Sequence, residues 1–259
     1  MKQIVAGMLL MLLVLPAAFA EVQSKKVKYR HAGSQLEGFL AWDDSIQGKR
    51  PGVLVVHEWW GLNDYARSRV RQLAAQGYVA FALDMYGAGK VTGHPDEAGS
   101  WMKEIKSNKA LWVARADAGL AVLKQQPFVD PEQLAAIGYC FGGATVMEMA
   151  YAGSDVDLVG SFHGSLPIPD DTAVPAIRAR ILVAHGNADP FSPIDKVQAF
   201  RDALEKSGAD WTMMEFGGVK HGFTNPSAGD YGIDALAYDE QADRQSWQML
   251  LWLLDDTFD

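Results

Sequence analysis

The segment Gly138-Tyr139-Cys140-Phe141-Gly142-Gly143 is the feature that most restricts how this chain can fold. It follows an apolar stretch, Leu134 to Tyr139, that reads as a buried strand, and a helix is predicted from about Phe141. A turn this tight brings the residues two before and two after its apex into contact, so a side chain at either place would clash. The apex, Cys140, takes a strained backbone conformation and lies at the N-terminus of the following helix. The positive end of that helix stabilises a thiolate, the reactive form of cysteine.

The rest of the chain repeats the strand-then-helix pattern. Val27 to His31 and Leu36 to Trp42 suit an antiparallel pair that turns near Gly33. Gly52 to His57 is a continuous apolar, β-branched run, as expected of a strand covered on both faces. Asn63 or Asp64 can cap a helix that runs to about Gln76 and ends at Gly77. Val79 to Leu83 is a second buried strand, followed by a loop from Gly87 to about Pro95 and a long helical segment from about Glu97 to Gln125. Leu158 to Phe162, Arg180 to Ala184 and about Trp211 to Phe216 complete the strands. Helices are predicted over about Pro193 to Ser207 and Asp234 to Leu254. Short apolar strands alternating with helices argue a mostly parallel sheet covered on both faces, an α/β fold, with its ligand crevice at the carboxyl ends of the strands.

Lys2, the apolar run from Ile4 to Leu15, Pro16 and the small-x-small site Ala18-Phe19-Ala20 form the pattern of a secretory signal peptide cleaved before Glu21. Residues 21–259 then form a single α/β domain. The expected location is outside the cytoplasm, and periplasmic if the source is a bacterium with two membranes. The apolar run is short for a membrane span, and no cysteine follows the cleavage site, so no stable membrane anchor is expected. Acidic residues exceed basic ones by nine with no cluster of Lys and Arg, which excludes a nucleic-acid partner. Cys140 is the only cysteine, so no intramolecular disulfide exists; an unpaired cysteine in an exported chain is an intermolecular link, a buried filler or a reactive thiol.

The strand ends supply partners for the third option. Asp189 follows the strand that ends near Ala184, and His221 follows the next one. The order Cys140, Asp189, His221 is nucleophile, acid, base. Such a set needs the His to handle the proton and the Asp to fix its tautomer. His57, His163 and His185 also end strands, but only His221 has the right place in the order; Asp170 and Asp195 are rival acids, and Asp189 is preferred because the turn after a strand places it beside the crevice.

These residues resemble the dienelactone hydrolase family of α/β-hydrolases. The resemblance runs through the chain after the leader. It is carried by Val56 to Asn63, Leu83 to Gly87, Gly138 to Gly143, His185 to Pro190 and His221-Gly222-Phe223. It implies an α/β-hydrolase fold, a role for Glu58 in governing ionisation of the Cys140 thiol, and an oxyanion hole made by the backbone amides of Trp59 and Phe141. Family members that cleave dienelactone hold its carboxylate with two arginines. This chain has Ala88 at one place and Thr224-Asn225-Pro226 at the other, which points away from dienelactone itself. Trp60, Tyr86, Phe191 and Phe223, with Trp59 and Phe141, are expected to line an apolar pocket.

The expectation is therefore an exported hydrolase that cleaves a small-molecule ester or lactone through a covalent thioester on Cys140, with no metal or cofactor. A thioesterase or other acyl hydrolase, and a catalytically silent binding protein on the same scaffold, are the alternatives.

Overall fold

The computed structural model describes residues 22–169 and 177–259. The leader expected over residues 1–20 and the rival acid Asp170 lie outside them.

The chain order is β1 (Val22–His31), β2 (Ser34–Asp43), β3 (Arg50–Val56), α1 (Asp64–Ala75), β4 (Val79–Ala82), α2 (Pro95–Lys106), α3 (Lys109–Lys124), β5 (Val129–Tyr139), α4 (Phe141–Ala152), β6 (Leu158–Phe162), β7 (Arg180–Gly186), α5 (Ile194–Ser207), β8 (Trp211–Phe216), a 3-10 turn (Ala228–Tyr231) and α6 (Glu240–Phe258). The eight strands form one sheet in the order β1-β2-β4-β3-β5-β6-β7-β8. β2 pairs antiparallel with β1 and with β4, and every later pairing is parallel. The connections from β3 to β4, β4 to β5, β5 to β6 and β7 to β8 carry helices onto the sheet faces, which is why β3 to β7 read as unbroken apolar runs.

Two apolar layers sandwich the sheet. One is built from one face of the strands with α2, α3, α4 and α5, the other from the opposite face with α1 and α6. Alternate strand residues feed alternate layers: Leu54 and Val56 enter the first, Val53 and Val55 the second.

Two predicted helices differ from those observed. The segment from Glu97 to Gln125 is not one helix. It breaks at Ser107 and Asn108, because the Asn108 side chain accepts the Leu111 N–H and caps a new helix. The last helix begins at Glu240, capped by Asp239, and not at Asp234. The preceding stretch is used otherwise: His221 N–H donates to Ala235 and Ala237 N–H donates back to His221, clipping that segment onto the loop after β8.

Candidate active site

The turn from β5 into α4 puts Cys140 at φ 55°, ψ −113°, a positive φ that only a tightly determined surrounding sustains in a residue with a side chain. A Cβ on Gly138 would lie 2.1 Å from the Gly142 carbonyl carbon, and one on Gly142 would lie 2.1 Å from the Val56 carbonyl oxygen. The elbow is thus pressed onto itself and onto the end of β3. Cys140 N–H donates to Phe162 at the end of β6 (3.0 Å), locking the apex from the other side.

Asp189 sits in a turn after β7. Its N–H donates to Gly186, its Oδ1 accepts the Phe191 N–H at 2.8 Å, and its Oδ2 lies 2.7 Å from His221 Nδ1. His221 lies between Asp189, which it hydrogen-bonds, and the Cys140 sulfur, whose charge acts on it. Burial disfavours its charged form, but the negative sulfur and the Asp189 carboxylate outweigh it and push the imidazole up to about 10. The imidazolium is therefore the favoured form whenever the sulfur is a thiolate.

Glu58 follows β3 and is 4% exposed. Burial raises its carboxyl to about 7, against the opposing pull of the Asn225 amide, His221 and Arg69. Its hydrogen-bond partner is Asn225, whose Nδ2 donates to Oε2 at 2.7 Å; no hydrogen bond joins it to the Cys140 thiol. Among the described residues, neither the Trp59 nor the Phe141 N–H meets a protein acceptor. One lies just past β3 and the other opens α4, and both flank the elbow.

Of the other strand-end histidines, His57 and His163 have structural bonds. His57 donates through Nδ1 to the Glu58 carbonyl (2.5 Å) and accepts the Met85 N–H on Nε2 (3.2 Å). His163 bonds Thr224. His185 is buried at the end of β7 and held below its ordinary range chiefly by that burial. Asp195 is in the first turn of α5 and exposed.

A cavity of about 230 Å³ opens over Cys140 and His221. Trp59, Phe141 and Phe191 line it, joined by Met102 and Lys106 of α2 and by Ile233 and Leu236. Trp60, Tyr86 and Phe223 do not. Trp60 is turned inward and stacks on Tyr231, ring centroids 3.9 Å apart. Tyr86 stacks behind Phe141, and Phe223 is fully buried against Phe216 and His163. A bulky ring beside a sheet has more apolar area to bury in the core than at the crevice, and these three follow that rule. The residues from α2 and from 233–236 escaped the sequence reading because Met, Ile and Leu there carry no sign of a cavity wall. Asn225 escaped it because a neutral amide signals no chemistry until Glu58 is placed beside it.

The family model described as "Dienelactone hydrolase family" matches residues 36–258. The chain belongs to that family. It is a hydrolase of the ester- and lactone-cleaving kind. Similar solved structures include one titled m3DLH, 36% identical with a TM-score of 0.88 over 92% of this chain and 99% of that one. Another is a dienelactone hydrolase-like promiscuous phosphotriesterase from metagenomic libraries, 36% identical with a TM-score of 0.90 over 93% of this chain and all of the other, 100%. Among curated relatives, Protein usf of Aquifex pyrophilus is 29% identical over 86% of this chain and 94% of its own length. A protein of Aquifex aeolicus provisionally named as a carboxymethylenebutenolidase is also 29% identical, over 86% and 94%.

Proposed function

We propose that the protein hydrolyses a small ester or lactone with an apolar acyl part, through a thioester on Cys140. The observation that carries the reading is the line Cys140, His221, Asp189 at the mouth of a cavity whose wall is mostly apolar. Sγ attacks the carbonyl carbon, and the oxygen takes the electron pair as an oxyanion. The amides of Trp59 and Phe141, which lack other acceptors, are available to hold it. The intermediate collapses, and His221 gives its Nε2 proton to the departing alkoxide. Neutral His221 then takes a proton from water, which attacks the thioester and releases the acid and the thiolate. Asp189 keeps the proton on Nδ1 throughout. Glu58, where ionised above about pH 7, adds a negative charge that favours the imidazolium.

The test is turnover of an activated aryl ester by the wild type and by Cys140→Ala. Loss of at least about a thousandfold in the variant is expected, with an acyl adduct on Cys140 in the mass spectrum of the wild type. Activity retained by Cys140→Ala overturns the thioester. The likeness to a protein titled a phosphotriesterase favours a broader reading in which the same sulfur accepts a phosphoryl centre. A panel of esters, lactones, thioesters and phosphotriesters ranks these.

We also propose export. Residues 1–20 have the composition of a cleaved leader. The N-terminal sequence of protein recovered outside the cytoplasm is expected to begin at Glu21. An intact Met1 on protein confined to the cytoplasm overturns this.

A further inference from the structure

The loop that carries His221 is backed by a buried chain of polar side chains that the proposed mechanism does not use. His163 Nε2 lies 2.7 Å from Thr224 Oγ1, and Thr224 Oγ1 lies 2.5 Å from the Tyr65 hydroxyl. Arg69 of α1 reaches the far end: its Nε donates to the Tyr65 oxygen at 3.3 Å, and its Nη2 donates to the Thr224 carbonyl at 2.6 Å. Asp243 of α6 pairs with Arg69 and balances its charge. The His163 ring stands edge-on to His221, centroids 5.1 Å apart.

The polarity of this chain is fixed from one end. A guanidinium only donates, so the Tyr65 oxygen accepts from Arg69. The Tyr65 proton has one other neighbour, Thr224 Oγ1. Thr224 then has a single proton left to give, and it goes to His163 Nε2. The reverse direction would leave the Tyr65 proton with no acceptor at all, whereas the Nδ1 proton of the forward direction still faces the ring's own backbone carbonyl. His163 Nε2 is therefore a lone pair, and the ring proton is on Nδ1. That nitrogen has no full hydrogen-bond partner, and the ring's contact with its own backbone carbonyl favours a proton there.

We propose that Arg69, Tyr65 and Thr224 form a one-way hydrogen-bond chain that fixes the proton of buried His163 on Nδ1 and so, together with that burial, keeps positive charge beside the nucleophile on His221 alone. The proposal rests on the reading of His221 as the base. Without the chain, a second imidazolium could form 5.1 Å from the first and oppose the one that catalysis needs. The charged or titratable groups that face His163 are His221, Arg69, His185 and the Tyr139 phenol. Those that face His221 are Cys140, Asp189, Glu58, His163 and His185. Burial and the neighbouring positive charges both hold His163 well below its ordinary range. Tyr65, Thr224, Arg69 and His163 are positioning residues on this account, since none is within the cavity.

Histidine 15N–1H correlation spectra of the folded protein, with His163 assigned by a His163→Gln variant, read the tautomer without any substrate. Wild-type His163 is expected to show the Nδ1–H pattern and no titration between about pH 5 and 9. Thr224→Val and Tyr65→Phe are expected to populate the Nε2–H form, and Thr224→Ser to restore the wild-type pattern. In turnover, Thr224→Val is expected to lose about tenfold in kcat, the worth of one hydrogen bond, with KM within about twofold and rescue by Thr224→Ser. An Nε2–H or titrating His163 in the wild type overturns the proposal. So does a Thr224→Val protein that is folded, keeps the Nδ1–H pattern and loses no kcat. The spectrum is independent of activity, so failure here is distinct from failure of the thioester reading, which Cys140→Ala decides.

Discussion

The two halves of the crevice are held in different ways. The elbow around Cys140 is fixed by backbone against backbone: Gly138 against Gly142, Gly142 against Val56, and Cys140 N–H on the Phe162 carbonyl. The loop from His221 to Asn225 is fixed by side chains that arrive from elsewhere. Arg69 and Tyr65 come from α1, Asp243 from α6, and Glu58 from the end of β3. The first kind of support is stiff and intolerant of a single added carbon. The second is a network whose members share the work, so each loss is smaller and more specific.

Substitutions at each half separate these two kinds of support. Gly142→Ala is expected to have the largest effect, on the order of 4 kcal/mol in urea unfolding, because its Cβ meets a carbonyl oxygen that cannot swing away. A loss below about 1 kcal/mol would show that the elbow is looser than described. Arg69→Ala leaves Asp243 half-buried without its partner, and about 3 kcal/mol is expected. Adding Asp243→Asn should recover part of it, and no recovery would mean that Arg69 acts by packing on Tyr65, Tyr139 and Trp247 alone.

Glu58 tests the network through pH. Its folded carboxyl is raised from 4.5 to about 7, so between those values the unfolded chain has released a proton that the folded one keeps. Stability therefore falls as pH rises across that window and levels off above it. Glu58→Gln is expected to flatten that fall in thermal unfolding. Asn225→Ala removes a bond that favours the carboxylate, and is expected to move the limb of the kcat/KM profile that reports Glu58 to higher pH. An unmoved profile would detach Glu58 from the chemistry. The smallest effect belongs to Phe191, half exposed on the cavity rim and edge-on to His221. Phe191→Ala is expected to change stability by less than about 0.5 kcal/mol while raising KM for an aryl ester several-fold. A KM unchanged would take the ring out of the binding surface.

The difference between the halves also governs what could be read from the residues alone. The elbow is local: six consecutive residues announce a strand, a turn and a helix, and the alternating apolar runs around them announce the sheet. Asp189 and His221 were legible because strand ends point at the crevice and chain order restricts their roles. The support of the His221 loop was not, because its bonds join residues far apart in the chain. Thr224 and Asn225 drew notice only as places without an arginine, yet one anchors His163 and the other holds Glu58. Trp60, Tyr86 and Phe223 were assigned to the pocket on ring size and position, and burial put them in the core. The helix break at Asn108 turned on one side-chain cap within a stretch of otherwise helical pattern.

The contact of Gly142 with the Val56 carbonyl has a consequence for thermal motion. It couples the start of α4 to the end of β3, so the sulfur and the two flanking amides of Trp59 and Phe141 ride on one block. His221 is held differently, by side-chain bonds to α1 and α6 and, through Asn225 and Glu58, to the end of β3. On the proposed mechanism, loosening those side-chain bonds would change the distance a proton travels between Cys140 and His221, while the two amides proposed for the oxyanion would stay fixed relative to the sulfur.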